Sequence, residues 1–398
     1  MIKSYKFRMY PTFKQISILI RTLLVCKDLY NKALEQRITL YKTEKKSIFY
    51  IDQIKYLTHH KNDDEKEIHS QVAQNVLKRL DDAFRRFFKW CKTRKGPRVG
   101  FPRFKTYKRY RSFTYPQGGF KLSDNQQKVK LSFIGTIKIV STRKIIGKIK
   151  TCQVIKDVDQ WYVKFTVEEP KPINPIVHNN PGSEVGVDLG INNLCAMSNG
   201  EMIENPHFYR ESQKKLAKEQ RRLSRKILGS QNRAKQRVKV ARVHRKIRFQ
   251  RDDYIHKISR RLADVFETIV FEDLRIPNMV KNKKLAKHIL DSSWGKLTRY
   301  TSYKAESAGG KVLLVNPRNT SQLCSSCNKI VLKTLAERTH SCPYCGYVED
   351  RDINASKNIL KRMKKNTVGH TEICKNAYED LTSTHIDMKL HEQVESLK

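Results

Sequence analysis

Four cysteines in two pairs constrain the fold more than any other feature of this sequence. The pairs read CSSC at 324–327 and CPYC at 342–345, with 14 residues between them. Two residues between cysteines let both thiolates reach one ion at about 2.3 Å, and two such pairs complete a tetrahedron. We therefore predict one structural Zn²⁺ without an open coordination position. Its ligands are Cys324, Cys327, Cys342 and Cys345.

The remaining cysteines bear on the cellular compartment. Five of the nine are scattered, and one metal site without a disulfide framework is typical of a reducing compartment. Redox-active CxxC is the alternative for either pair, but their surroundings are not thioredoxin-like. The longest apolar run, ISILIRTLLVC from Ile16, is too short to span a bilayer. No small-residue cleavage site follows it, so we expect a cytosolic protein that has no membrane partner.

The charge of the chain indicates its partner. Lys and Arg number 81 against 39 acids in 398 residues, a formal net charge of +42. Such an excess repels itself unless a polyanion neutralises it, and nucleic acid is the commonest such partner. An anionic membrane surface is the second candidate. The length allows two or three domains with hydrophobic cores.

Hydrophobic periodicity predicts a multidomain α+β chain. KSYKFRMYP at the start reads as a strand, and 13–90 has helical spacing. We expect one stripe there to pack a helical core: Val72, Val76, Leu77, Leu80, Phe84, Phe87 and Phe88. Short β-rich runs between 112 and 168 predict a small barrel or sandwich.

Two basic segments are candidates for contact with nucleic acid. Residues 94–115 hold eight basic residues, six aromatics and no acid, a mixture that can hold phosphates and stack on bases. The alternative is a solvated loop whose aromatics pack on the next domain. Residues 210–261 hold 20 Lys or Arg and four acids, and Gly229 with Ser230 divides them into a predicted helical hairpin. A solvated face is the alternative there.

Acidic residues beside apolar strands suggest a second metal site. Asp188 lies in EVGVDLG, Glu272 and Asp273 end the strand FETIVFED, and Asp350 and Asp352 precede an apparent helix. A carboxylate beside a buried strand is costly unless it is paired or binds metal, although any one of them could cap a helix. The order of elements matches a ribonuclease H-like fold. In that fold acids converge on two Mg²⁺ ions, one activating water and one stabilising the leaving oxygen of a phosphodiester.

Several motifs resemble those of the TnpB family, whose members are transposon-encoded, RNA-guided DNA nucleases similar to miniature type V CRISPR effectors. The motifs are GVDLGINNL, VFEDL, TSQLCSSC, CPYCG and DRDINASKNI, with YKFRMYPTFKQ, RLDDAFRRFF and GFPRFKTYKRYRSFTY upstream. The resemblance implies that the catalytic and Mg²⁺-binding acids are Asp188, Glu272 and Asp352, with Mn²⁺ as a substitute. It favours Glu272 over Asp273 and Asp352 over Asp350. We expect Glu349 and Asp350 to be solvated or to cap a helix.

The resemblance also implies a division into domains. Residues 1–11 supply the first strand of a β-barrel wedge domain, 12–111 form a helical recognition domain, 112–170 complete the wedge and 171–182 link it onward. A RuvC-like nuclease core then occupies 183–318 with the basic hairpin at 207–263, followed by a zinc-ribbon target-nucleic-acid-binding module at 319–348 and the end of the core at 349–364. The polar tail at 365–398 is expected to be disordered.

The implied partners are a guide RNA and double-stranded target DNA that carries a short flanking motif, with one protein copy for each guide RNA. The candidate nucleic-acid contacts are Gln71, Gln74, Asn75, Arg103, Lys105, Tyr107, Tyr110, Phe113, Arg221, Arg225 and Arg245. The two glutamines and the asparagine could read bases through their amides. The aromatic residues could stack on bases or pack within the wedge. Two alternative functions stay open at this point: a guide-dependent DNA-binding regulator without cleavage, and a transposase that performs strand transfer.

Overall fold

The computed structural model of the chain describes residues 2–170, 177–334 and 337–366. They belong to two units, Met1–Lys171 and Pro172–Lys398. Residues 171–176 of the predicted linker are outside the described residues, as is the predicted tail from residue 367 onward. Among the helices of the described ranges, none has the length and apolar character that crossing a bilayer requires.

The first unit contains a seven-stranded antiparallel sheet in the order β2-β6-β7-β1-β5-β4-β3. Its strands are β1 Ile2–Tyr10, β2 Ser112–Tyr115, β3 Phe120–Leu122, β4 Lys128–Leu131, β5 Gly135–Val140, β6 Lys148–Asp157 and β7 Gln160–Glu168. The first strand pairs with both β5 and β7. The amino-terminal strand is therefore central in a sheet whose other strands come after residue 111.

This sheet must curl, although its edges do not pair. Only five residue steps separate Tyr115 at the end of β2 from Phe120 at the start of β3. Those steps span at most about 18 Å, whereas the edges of a flat seven-stranded sheet would be about 29 Å apart at the usual strand spacing of about 4.8 Å. Among the described residues, β2 and β3 are not hydrogen-bonded neighbours. The predicted barrel is thus a curled sheet that remains open.

Helices occupy the chain between β1 and β2. They are α1 Phe13–Glu44, α2 Tyr50–His59, α3 Asp63–Lys66 and α4 Ser70–Thr93. Thr12 and Gln15 form a capping box that starts α1, and the residue before Thr12 is a proline. The predicted stripe on α4 is buried as far as Phe84, but Phe88 is 54% exposed. The end of α4 extends beyond the core, where Phe87 and Phe88 contact each other at the surface.

The second unit contains a mixed five-stranded sheet in the order β10-β9-β8-β11-β12. Its strands are β8 Glu184–Leu189, β9 Asn193–Met197, β10 Met202–Glu204, β11 Thr268–Glu272 and β12 Lys311–Val315. The first three form an antiparallel meander, whereas β11 is parallel to both β8 and β12. Parallel neighbours place the carboxyl ends of β8 and β11 at the same edge.

Helices of the second unit lie around this sheet. They are α5 Phe208–Ser224, α6 Gln231–Val265, α7 Ile276–Met279, α8 Lys283–Ser292, α9 Trp294–Ser307 and α10 Arg351–Asn366. Helices α5 and α6 form the predicted hairpin, with a hydrophobic cluster of their own that includes Val240, Val243 and Ile247. The carboxyl-terminal half of α6 packs against the second sheet through Ile255 and Leu262, which cluster with residues of β8 and β11. Helix α10 packs on the sheet through Ile359 and Met363, which cluster with Val270 of β11.

One glycine allows α10 to approach the sheet closely. A β-carbon at Gly186 in β8 would lie 2.1 Å from the carbonyl oxygen of Ser356 and 2.8 Å from the backbone nitrogen of Leu360. Both atoms belong to the backbone of α10, so no side-chain rotation can relieve the overlap. Gly186, the first glycine of the GVDLG motif, is therefore required by the packing of α10 on β8.

We expect Gly186→Ala to destabilise the second unit. Overpacking of this kind costs about 1–3 kcal/mol of unfolding free energy, sometimes more, and each kcal/mol lowers the Tm by about 2–4 °C. Gly100→Ala is the matched control, because a β-carbon there meets no atom within 4 Å. Thermal unfolding of both variants tests the packing, and equal Tm values would contradict it.

Candidate active site and metal centre

Three acids from separate elements lie at the carboxyl edge of the second sheet. Asp188 is the fifth residue of β8, Glu272 ends β11 and Asp352 lies in the first turn of α10. Phe271 of β11 lies opposite Val187 of the parallel strand β8, so Glu272 and Asp188 follow at the same level. Side chains at the same level of neighbouring strands project from the same face.

The packing of α10 determines which face this is. Gly186 faces α10, and Asp188, two residues later in the same strand, projects to the same side. Asp352 lies four residues before Ser356, one helical turn away on the α10 face that covers Gly186. The three carboxylates are therefore directed to one region between the sheet edge and the start of α10.

Electrostatic interactions connect Asp188 to the other two acids. Burial raises the pKa of Asp188 well above its usual range, and the carboxylates of Glu272 and Asp352 raise it further. The Arg351 guanidinium and the backbone N–H of Leu189 act in the opposite direction. Repulsion among like charges thus opposes ionisation, and a bound cation would favour it.

The other two acids are also shifted toward the neutral form. Burial raises the pKa of Glu272, although the Thr320 hydroxyl and the Arg362 guanidinium oppose the increase. Burial raises the pKa of Asp352 as well, and the neighbouring Asp350 carboxylate adds to the effect. Perturbed acids that cluster in this way are typical of functional sites.

The acids next to Asp352 have structural partners. Asp350 accepts hydrogen bonds at Oδ1 from the backbone N–H groups of Asp352, at 2.8 Å, and Ile353, at 3.2 Å, and so caps α10. Glu349 forms an ion pair of 2.6 Å with Lys357. These two acids are held by partners within the fold.

The four paired cysteines form a second, separate cluster. Their sulfur atoms all lie within 4.8 Å of one another, with 3.7 Å between Cys324 and Cys345 and 3.6 Å between Cys327 and Cys342. Four sulfurs at about 2.3 Å from one tetrahedral ion would be about 3.8 Å apart. The donor set therefore fits a Zn²⁺ ion. Within the described ranges, no group of three or more carboxylates and histidines forms an equally tight cluster.

Local backbone geometry shapes both cysteine loops in the same way. The backbone N–H of Asn328 donates to the carbonyl of Cys324 at 3.0 Å, and that of Gly346 donates to Cys342 at 3.0 Å. Asn328 and Gly346 both have positive φ, 62° and 71°, which their residue types tolerate. The short strands β13 Thr339–Ser341 and β14 Val348–Asp350 flank the second loop and pair antiparallel. The second strand leads directly into α10.

Buried polar side chains that the sequence analysis missed connect the two clusters. Thr320, Asn354 and Asn358 are at most 5% exposed. They lie within the quoted motifs TSQLCSSC and DRDINASKNI. A signal for them was present in the sequence: Asn354 and Asn358 lie four residues apart, on one side of the predicted helix.

The predicted nucleic-acid contacts in the second unit differ in exposure. Arg221 and Arg225 are exposed near the end of α5, where they face solvent. Arg245 is buried on α6, with 9% of its surface exposed. The first two are available to phosphates in this structure, whereas Arg245 is buried.

The predicted nucleic-acid contacts between residues 103 and 113 of the first unit also differ in exposure. Arg103 and Tyr107 are exposed, whereas Lys105 is half-buried beside Tyr30. Tyr110 is 6% exposed and Phe113 is fully buried in the core. Stacking of those two rings on bases is therefore wrong, because both are buried in the hydrophobic core of the first unit.

The three amide side chains predicted on α4 are half-buried. Gln71, Gln74 and Asn75 occupy neighbouring positions in the first turns of the helix. The Gln71 side-chain oxygen accepts a 2.7 Å hydrogen bond from the backbone N–H of Gly118. Gln71 thus connects α4 to the loop between β2 and β3.

Three family models match the chain. A model described as "Probable transposase" matches residues 163–283, and "Cas12f1-like, TNB domain" matches 294–359, which includes all four cysteines. A "Helix-turn-helix domain" model matches 1–46. In that range the described residues form β1 and the whole of the single long helix α1, without a second helix.

Whole-length relatives are similar to the chain. A "Putative RNA-guided DNA endonuclease" of Streptomyces pristinaespiralis is 34% identical over 373 residues, which cover 90% of this chain and 88% of the relative. The protein with the same description and the name InsQ, from Escherichia coli (strain K12), is 32% identical over 381 residues, 90% of this chain and 92% of the relative. "CRISPR-associated endodeoxyribonuclease Cas12f1" of Sulfoacidibacillus thermotolerans is 27% identical over 56% of each chain.

Metal analysis tests the cysteine centre. We expect one Zn²⁺ per chain in the purified protein, and Cys342→Ser should remove it because three thiolates bind far more weakly than four. Loss of the metal should also lower the Tm, since the binding free energy stabilises the fold. Cys91→Ser, outside the cluster, is the control that keeps its zinc. A Cys342→Ser variant with a full equivalent of zinc would refute the assignment.

The raised pKa of Asp188 predicts a pH dependence of stability without divalent ions. The folded chain keeps this proton at pH values where the unfolded chain has released it. The free energy of unfolding therefore falls as pH rises from the ordinary carboxyl pKa, about 3.9, through the raised value. Asp188→Asn removes the free-energy cost of ionising this buried carboxyl. Its Tm should therefore exceed that of the wild type at neutral pH, by about 2–4 °C for each kcal/mol of unfolding free energy gained.

The Tm difference between Asp188→Asn and the wild type should itself depend on pH. The two Tm values should converge below about pH 3, where the carboxyl is protonated in both states. Asp253→Asn is the control, because Asp253 is an exposed acid that pairs with Lys257 at the surface of α6. A Tm difference for Asp188→Asn that stays constant from pH 3 to 8 would contradict the raised pKa.

Proposed function

The chain belongs to the TnpB (OrfB) family of transposon-associated RNA-guided DNA endonucleases, and we propose that its active site consists of Asp188, Glu272 and Asp352. The full-length matches at 34% and 32% identity establish the family. The function follows from that membership: the chain is an RNA-guided nuclease of a transposable element. The residues that cut DNA are our inference from the geometry.

The observation that carries the assignment is the convergence of three carboxylates at one sheet edge. They come from β8, β11 and α10, which are separated by up to 164 residues of sequence from Asp188 to Asp352. An antiparallel meander followed by two parallel strands supports a ribonuclease H-like (RuvC) core. We infer this fold for the nuclease core, with the basic hairpin as an insertion between β10 and β11.

The donor chemistry of this site suits Mg²⁺, with Mn²⁺ as a substitute, because hard divalent ions prefer carboxylate oxygens. When bound, two such ions would activate a water and stabilise the leaving oxygen of a phosphodiester. The protein's part is to hold three carboxylates whose mutual repulsion, seen at Asp188, favours cation binding. The cysteine cluster has four ligands and no open position, so its role is to fold the ribbon.

Specificity would come from base pairing with a guide RNA. The protein would hold the heteroduplex by its shape and backbone and read a short motif beside the target itself. The net charge of +42 suits two polyanionic partners, and exposed Arg221 and Arg225 offer contacts to phosphates. We propose one protein copy for each guide RNA.

Strand transfer is the second candidate, because the matching family model is described as a probable transposase. A three-acid site of this type can serve either reaction. The products distinguish them: hydrolysis leaves free ends, whereas strand transfer joins DNA molecules. A regulator that binds without cutting is the third reading, and the presence of all three acids disfavours it.

A pair of variants two residues apart tests the active site. Asp352→Asn should reduce cleavage of guide-matched DNA by at least about 10³-fold, since it removes one carboxylate from the metal-binding set. Asp350→Asn should cut almost normally, because asparagine caps helices about as well as aspartate. Both variants should retain zinc and bind RNA and target DNA. The reverse pattern, an inactive Asp350→Asn beside an active Asp352→Asn, would refute the choice of acid.

A further inference from the structure

A buried threonine contacts one of the proposed catalytic carboxylates. The Thr320 side chain is 2% exposed, and its hydroxyl donates a hydrogen bond to Oε1 of Glu272. The same hydroxyl oxygen is 3.0 Å from the carbonyl oxygen of Pro317. A hydroxyl has one proton, so it donates to only one acceptor at a time. The carboxylate of Glu272 is the stronger acceptor when it is ionised.

Two asparagines of α10 hold the segment that carries Thr320. The Asn358 side-chain amide donates to the carbonyl of Thr320 at 3.0 Å and to that of Leu323 at 2.7 Å. Asn354 donates to Leu323 at 2.8 Å and accepts from the backbone N–H of Ser325 at 2.8 Å. The amides therefore satisfy several backbone groups of residues 320–325.

The same segment reaches both metal centres. Cys324, fully buried, lies four residues after Thr320 and is the first cysteine of the zinc cluster. Asn354 lies two residues after Asp352 in α10. A short route of covalent bonds and buried hydrogen bonds thus joins the zinc ligand Cys324 to Glu272 on one side and to the helix of Asp352 on the other.

We propose that Thr320 is a positioning residue that orients Glu272 for divalent metal, and that Asn354 and Asn358 fasten the zinc-bearing segment to the helix of Asp352. This inference rests on the proposed function and deepens it, because it makes the zinc ribbon part of the support for the catalytic carboxylates. Partners of this kind fix the orientation of metal ligands, and their loss typically costs 10–100-fold in metal affinity.

The competing explanation is that Thr320 only satisfies the carbonyl of Pro317 within a packed loop. In that case its hydroxyl contributes to local stability but does not affect the affinity of Glu272 for metal. Alanine and serine at position 320 distinguish the two explanations, because the two side chains differ by one hydroxyl oxygen.

The experiment measures Mn²⁺ binding to the full-length chain, loaded with zinc, by electron paramagnetic resonance. The variants are Thr320→Ala, Thr320→Ser and Thr339→Ala, and the last changes an exposed threonine of β13 in the same module. Thr320→Ala should weaken Mn²⁺ binding by about 10-fold or more. Thr320→Ser should stay within about 3-fold of the wild type, and Thr339→Ala should match it. Zinc content should remain one per chain in all three.

Equal Mn²⁺ affinity in Thr320→Ala and Thr320→Ser would overturn the inference. If Thr320→Ala fails to fold, Asn358→Ala decides in the same assay, because it keeps the hydroxyl and releases the carbonyl of Thr320. Weakened Mn²⁺ binding there supports the inference, and wild-type affinity overturns it.

A reference variant separates this inference from the function on which it rests. Asp188→Asn should lose the tight Mn²⁺ site that the wild type has. If the wild type and Asp188→Asn bind Mn²⁺ alike, the proposed active site fails and the inference fails with it. If Asp188→Asn loses binding while Thr320→Ala keeps it, only the role of Thr320 is overturned.

Discussion

The contact between α10 and β8 at Gly186 is the constraint on which the proposed active site depends. A single β-carbon at this position would overlap the backbone of the helix. The absence of that atom lets the helix lie directly on the strand, and it places the first turn of α10 beside the ends of β8 and β11. In this arrangement the Asp352 carboxylate is one of the groups that raise the pKa of Asp188. The backbone packing thus determines where the charge is concentrated.

Concentrating charge in this way has a thermodynamic cost. Burial raises the pKa of all three carboxylates, and repulsion from Glu272 and Asp352 adds to the increase at Asp188. A chain with a net charge of +42 has many lysines and arginines that could neutralise them. The strongest bonds around Asp352 instead involve its neighbours, because Asp350 caps the helix and Glu349 pairs with Lys357. The basic group that Asp352 itself meets is the guanidinium of Arg338, at 4.0 Å. This arrangement is compatible with the divalent-cation site that we propose for the three carboxylates.

Much of this organisation is predictable from the sequence because it depends on local spacing. The CxxC pairs predict a four-sulfur cluster, and Gly229 marks the turn of the basic hairpin. That the first sheet stays open was not predictable, because closure would require long-range pairing between its edge strands β2 and β3, which are not hydrogen-bonded neighbours among the described residues. Nor was the burial of Phe113, since aromatic rings in basic segments occur both in cores and at surfaces. The hydrogen bond from Thr320 to Glu272 spans 48 positions, a distance over which no periodicity applies.

The most direct test of the whole account is an exchange of guides. The RNA that co-purifies with the chain is sequenced, and its guide segment is replaced by a second sequence. Each complex is then given two duplexes with identical flanks, one matched to each guide, in the presence of Mg²⁺. We predict that cleavage moves with the RNA, so that each complex cuts only its matched duplex and leaves free ends. Cleavage of the same duplex whichever RNA is bound, or joined DNA products, would contradict an RNA-guided endonuclease.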